Sequence, residues 1–200
     1  MMRVDRFKAV LDACVLFPML VRDILLTLAD HGFFSPVWSP RIHVEWRRHL
    51  AARMKANVPA GSAQYPVDKI RTIMDQALPD ALVTTVLPEM AELACVDPKD
   101  RHVVMTAIAA KADAIAAFNL SDFAAADIHA ALKIEVVHPD DFIVDLIDLN
   151  EKRGVAAFKE LLERKQRPAW SVDELTNRLL RGGLVQTSAW LGGEDVRALL

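Results

Sequence analysis

The chain has 200 residues, 52% hydrophobic and 26% charged, the make-up of a globular protein with a real core, organised as one domain or a domain plus a small appendage. Its net charge of −3 excludes a wholly polybasic nucleic-acid binder while leaving room for a local basic face. No apolar stretch is long enough to span a bilayer and the start, MMRVDRFKAV, lacks the apolar core of a signal peptide, so a cytoplasmic protein with no membrane partner is expected.

Residues 7–12 (FKAVLD) read as a short buried strand that ends on a carboxylate, Asp12. Such a residue is either a turn former or a group held at a strand end to bind something. Residues 19–31 carry Leu20, Ile24, Leu25 and Leu28 at helical spacing, and Gly32 closes that helix. FFSPVWS is a second strand. Ser39 followed by Pro40 opens a helix through RIHVEWRRHLAARM. NVPAGSAQYP is a loop, and Pro66 begins a helix over VDKIRTIMDQAL. A strand is expected near 91–96, before a turn rich in Asp and Pro. DRHVVMTAIAAKA reads as a helix, DAIAAFN as a strand, LSDF as the turn after it and KIEVVHP as the last strand. This alternation up to residue 139 predicts a parallel sheet with helices on both faces. Residues 140–164 then read as helical and RKQRPAW as a connector. Ser171 with Glu174 forms a capping box whose helix ends at Gly182 and Gly183. Cys14 and Cys95 both fall in apolar runs that read as strands, and reduced, buried thiols are expected of them.

In an open α/β sheet, ligands bind outside the carboxyl ends of the strands. The polar residues expected there are Asp12, then Asp97 and Asp100 after the strand near Cys95, then Asn119 and Asp122 after DAIAAF. Glu45 lies in the helix after the second strand, whose start faces the same edge. Asp12, Glu45, Asp100 and Asp122 are therefore predicted to share one rim. Two carboxylates ~5 Å apart repel by roughly 3 kcal/mol at an effective dielectric of ~20. Either some of them are protonated or a divalent cation lies between them. Oxygen-only ligands favour Mg²⁺ or Mn²⁺, and a carboxylate-held ion of that kind suits phosphodiester hydrolysis.

With these residues in hand, the chain resembles the PIN-domain family, in particular the VapC-like ribonuclease toxins, over about residues 7–142. AVLDACVLFP, WSPRIHVEW, DPKDRHVVMTAIAAKADAIAAFNLSDF and IEVVHPDDF carry the likeness. The resemblance implies a three-layer α/β/α domain with a central parallel sheet over residues 1–142, plus a helical C-terminal extension over 143–200. It implies a Mg²⁺- or Mn²⁺-dependent endoribonuclease whose acidic quartet carries over to Asp12, Glu45, Asp100 and Asp122. The expected partner is a cognate antitoxin protein, and a homodimer is a further possibility. Asp12 and Asp100 are then direct metal ligands, Asp122 a direct or water-mediated one, and Glu45 a second-metal contact or the residue that orients the attacking water. Asn119 and Asp97 are expected beside the metal or the substrate. The chain departs from the family pattern at Cys14, where Asn is common, and at Ala117, where Thr is common.

RNA held near an acidic rim needs positive charge close by. Arg47 and Arg48 on the helix that carries Glu45 are the leading candidates, with Arg22 and Arg101 in support. The four tryptophans, Trp38, Trp46, Trp170 and Trp190, are read as packing residues in preference to base-stacking ones, and His102 as a structural histidine near a carboxylate. In the tail, residues 143–181 are expected to form two amphipathic helices. Phe142, Ile143, Leu146, Ile147 and Leu149 make an apolar stripe there that needs burial, by antitoxin or dimer contact in the first instance. The alternatives to a toxin ribonuclease are a catalytically weakened PIN-like module that binds RNA or regulates, and a related α/β phosphatase or DNA nuclease. Cys14 argues against the phosphatase, because acid-nucleophile phosphatases usually need a second Asp at that place.

Overall fold

A computed structural model describes residues 7–57, 65–85, 87–88 and 90–200 of the chain. Strand β1 (Lys8–Leu11) leads into a single-turn helix α1 (Ala13–Leu16) and then α2 (Met19–Asp30). Strand β2 (Ser35–Val37) is followed by α3 (Pro40–Asn57), α4 (Tyr65–Ala77) and α5 (Arg101–Ala110). Strand β3 (Ala114–Ala116), helix α6 (Ala125–Leu132) and strand β4 (Glu135–Val137) come next, before α7 (Pro139–Leu149), α8 (Glu151–Arg164), α9 (Val172–Arg181), α10 (Val185–Gly192) and α11 (Glu194–Arg197). The fold is of the α/β/α class, with a central parallel sheet and additional C-terminal helices.

The chain divides into two compact units, Met1–Phe17 with Ser35–Val137, and Pro18–Phe34 with His138–Leu200. In the first, four parallel strands run in the order β2-β1-β3-β4. Val10 stands opposite both Val37 and Ile115, and Ile115 opposite Val136. The central strands are buried on both faces, so they read as short continuous apolar runs without alternation. Edge strand β4 instead exposes Glu135, a charge that discourages further pairing. Helix α5 packs across β1, β2 and β3. Because β1 pairs with β2 on one side and β3 on the other, the chain order reverses between β1 and β3. A crevice forms at the carboxyl ends of two such strands.

Trp38 and Trp46 are fully buried in this unit. The Trp46 indole donates to His43 Nδ1 at 2.9 Å, and His43 Nε2 and Trp38 Nε1 both reach Asp75 Oδ1, at 3.0 and 3.1 Å. Burial holds the His43 imidazole below its usual value despite Asp75. The ring is therefore the neutral tautomer that accepts at Nδ1 and donates at Nε2. This network explains why these tryptophans serve packing.

In the second unit α2 packs on α7 and α8, and α10 on α7 and α9. Asp140 is buried and accepts from the Gln186 and Thr187 backbone N–H groups at 2.7 and 2.9 Å, and from the Thr187 hydroxyl at 2.7 Å. It thereby satisfies the first amides of α10. Trp190 packs edge-on against Phe158, and the Arg178 guanidinium lies 4.3 Å from the centroid of the Trp170 ring.

Several expectations need correction. Residues 91–95 form a 3-10 helix instead of a strand. Leu93 and Val96 are buried while Ala94 and Cys95 are exposed, a spacing of three that suits a 3-10 turn and defeats strand alternation. Cys95 is thus an exposed thiol, and Cys14 lies in α1, half-buried; neither forms a disulfide among the described residues. Helix α6 occupies the stretch between LSDF and the last strand, where no helix was expected. Residues 143–181 hold three helices where two were expected, because Asn150 stops α7 and its side chain accepts from Arg153 N–H to cap α8. Of the stripe on α7, Leu149 is 75% exposed while Phe142, Ile143, Leu146 and Ile147 are buried. Part of the loop expected at 57–66 lies outside the described residues. Among the described residues no helix is long and apolar enough to cross a membrane.

Candidate active site

Asp12 follows β1 directly and is 4% exposed. Its backbone N–H continues the ladder by donating to Ala116 at 3.2 Å, and its carboxylate accepts from Cys14 N–H at 3.3 Å as the N-cap of α1. The residue is therefore both a turn former and a carboxylate at the head of the crevice. Asp100 stands at the N-cap position of α5, yet its side chain makes no cap hydrogen bond, which leaves the carboxylate available for other contacts. The 3-10 turn Leu120–Phe123 after β3 brings Asp122 close, and its backbone carbonyl accepts from Asp97 N–H at 2.8 Å. The Asp97 side chain is engaged locally, accepting from Lys99 N–H at 2.9 Å.

Asn119 joins the acids. Its Nδ2 donates to Asp122 Oδ2 at 2.8 Å and lies 3.4 Å from Asp100 Oδ2. Glu45, half-buried on α3, has Arg41 Nε at 3.5 Å and His102 Nε2 at 3.0 Å from the same oxygen. The His102 contact is close but off the ring N–H direction, and neither ring nitrogen has a hydrogen-bond partner among the described residues. It is an electrostatic contact, effective when the imidazole is protonated. Burial raises the Glu45 carboxyl, and His102 and Arg41 more than offset that, so it stays ionised below its usual value. Asp100 goes the other way. Burial, then the charges of Asp12, Asp122 and Asp97, push it up to about 6.

Asp12, Glu45, Asp100 and Asn119 share a cavity of about 600 Å³. Its other walls include Arg41, Arg48 and Lys99, with Phe17 and His49, whose rings meet edge-on with centroids 6.1 Å apart. Asp122 is not among its walls and reaches it through Asn119. Among the described residues no three His, Cys, Asp or Glu side chains converge as ligands of one ion.

The basic residues sort differently from the expectation. Arg48 lines the cavity. Arg47, one residue away, pairs with Asp68 on α4. Arg101 donates from Nε to the Val96 carbonyl at 3.2 Å. Arg22 is 4% exposed and belongs to the second unit, so as folded it is not a solvent-facing phosphate contact. Lys99 and Phe17 were missed. Lys99 sits beside Asp100 in a stretch read only for its acids, and Phe17 in a run read only as core.

Residues 8–121 match the PIN domain family, and residues 139–193 match the VapC50 C-terminal domain. A curated protein described as a putative ribonuclease VapC50, from Mycobacterium tuberculosis (strain ATCC 25618 / H37Rv), is 32% identical over 81 residues, 40% of this chain and 47% of that protein. The match thus spans about half the length of the relative. No solved structure matches the chain.

Proposed function

The chain belongs to the PIN domain family, and on that premise we propose that it is a Mg²⁺- or Mn²⁺-dependent endoribonuclease, the toxin of a type II toxin–antitoxin pair with a cognate antitoxin as partner. The observation that carries this reading is one cavity lined both by the acids Asp12, Glu45 and Asp100 and by the cations Arg48 and Lys99. Acids alone repel a polyanion, and cations alone do no hydrolysis. Together they suit a phosphodiester beside a divalent ion.

The donor chemistry fits such an ion. The carboxylates of Asp12, Asp100 and Asp122 are hard oxygen donors; burial and then the charges of Asp12 and Asp122 raise the Asp100 carboxyl, a cost that a cation relieves. Asn119 donates to two of them where positive charge is wanted. Asp12, Asp100 and Asp122 would hold the ion. When bound, it supplies charge stabilisation at phosphate oxygens and a more acidic water. Glu45, ionised and lining the cavity, accepts the proton of the attacking water, and His102 and Arg41 keep it ionised. Arg48 and Lys99 bind and orient the RNA backbone.

The test is cleavage of structured RNA by the purified chain with Mg²⁺ or Mn²⁺, against Asp12→Asn and Asp100→Asn. Cleavage by the parent and none by the variants is expected. A second reading, an RNA-binding module of weakened catalysis, is favoured by the thiol at Cys14 and by the lack of three convergent ligands among the described residues. RNA binding without cleavage under either metal would select it.

A further inference from the structure

Asn119 faces two carboxylates with its nitrogen. Ionised carboxylates only accept hydrogen bonds, so the amide must present NH₂ to Asp122 Oδ2 and Asp100 Oδ2, at 2.8 and 3.4 Å. That fixes which way Oδ1 points, and Oδ1 then needs a donor of its own. The group it meets is the Cys14 thiol, with Sγ at 3.4 Å. The same sulfur accepts from the Phe118 backbone N–H at 3.2 Å. The thiol donates to Asn119 Oδ1 from that sulfur. Cys14 must be a thiol for this, since a thiolate has no proton to give. Through its backbone N–H, at 3.3 Å, the same residue also holds Asp12 Oδ2.

We propose that Cys14 is a positioning residue that locks the Asn119 amide and so sets Asp100 and Asp122 on a common donor, next to Asp12. Its consequence for metal binding rests on the nuclease reading; its geometry does not. If the thiol is removed, the amide loses the partner that fixes Oδ1, and a turned amide sets an acceptor against two carboxylates. The two acids then lose their shared donor. A hydroxyl at this position keeps one proton to donate and one lone pair to accept, so serine is the conservative replacement.

The experiment uses the full ¹⁵N-labelled chain, its Cys14→Ser and Cys14→Ala variants, amide exchange by NMR and Mn²⁺ titration by calorimetry. In EDTA, the Asn119 side-chain amide of the parent and of Cys14→Ser is expected to exchange ~10-fold more slowly than that of exposed Asn177. In Cys14→Ala that protection is lost, and the Mn²⁺ dissociation constant rises by ~10-fold. Cys14→Ala with protection and affinity intact overturns the proposal, as does Cys14→Ser behaving like Cys14→Ala. If Cys14→Ala does not fold, the parent decides: an Asn119 amide exchanging as fast as that of Asn177 overturns the lock. A parent that takes up neither Mn²⁺ nor Mg²⁺ sinks the nuclease reading, while the exchange data still judge Cys14.

Discussion

Replacing Asp100 by Asn should make the metal-free protein more stable while abolishing its response to metal. Moving a carboxyl from 3.8 to about 6 corresponds to roughly 3 kcal/mol at about 1.36 kcal/mol per pH unit. The side chain is half-buried, and solvent screening reduces this to about 1.5 kcal/mol. The sign follows from proton counts. Between pH 3.8 and 6 the folded chain holds the Asp100 proton more tightly than the unfolded chain, so stability falls as pH rises through that window. Above it the folded state carries the full cost, and below it none. Asp100→Asn removes the charge and keeps the shape. In EDTA near pH 7.5 it should unfold about 3–6 °C above the parent, at ~2–4 °C per kcal/mol for a chain of this size. Near pH 4.5 the advantage should shrink to about a third, as only part of the parent's Asp100 is then ionised. Added Mg²⁺ should raise the melting temperature of the parent and leave the variant unmoved. Paired thermal scans at the two pH values, with EDTA and with Mg²⁺, make the measurement. A variant no more stable than the parent near pH 7.5, or an advantage of equal size at both pH values, would refute the electrostatic account.

Three further outcomes follow from the same geometry. Arg48→Ala and Lys99→Ala should each weaken RNA binding and lower the slope of log affinity against log salt by ~0.7, whereas Arg47→Ala, whose partner is Asp68, should leave that slope in place; fluorescence anisotropy across a salt series decides. Asp75→Ala strands two buried donors, Trp38 Nε1 and His43 Nε2, and should cost about 3 kcal/mol, read as a lower urea midpoint at unchanged slope. Asp140→Ala removes the acceptor of two amides and a hydroxyl at the start of α10. It should cost about 3 kcal/mol and speed amide exchange at Gln186 and Thr187; unchanged exchange there would remove Asp140 from its capping role.

Elements whose signals are local were read well. Ser39 before Pro40 marks the start of α3, and the Ser39 hydroxyl accepts from Ile42 N–H at 3.4 Å. Ser171 caps α9 through Glu174 N–H at 3.2 Å. Gly32 takes the positive φ, 76°, that closes α2. The misreadings came where local signals conflict or are weak. AELAC is apolar enough for a strand, but Leu93 and Val96 are buried while Ala94 and Cys95 between them are exposed. Residues 140–164 are helical throughout by propensity, and one side-chain cap at Asn150 divides them.

Residue types and their order along the chain therefore settled the strand–helix alternation, the parallel sheet and the list of acids to watch, because hydrophobic period and capping chemistry act between near neighbours. Tertiary structure alone decided which cations face the acids. Arg47 and Arg48 are adjacent, and a helical turn of about 100° per residue sends one to Asp68 and the other to the cavity. It alone also joined Cys14 to Asn119 across 105 positions, a contact that no spacing rule could announce, since it exists only once β1 and β3 lie side by side.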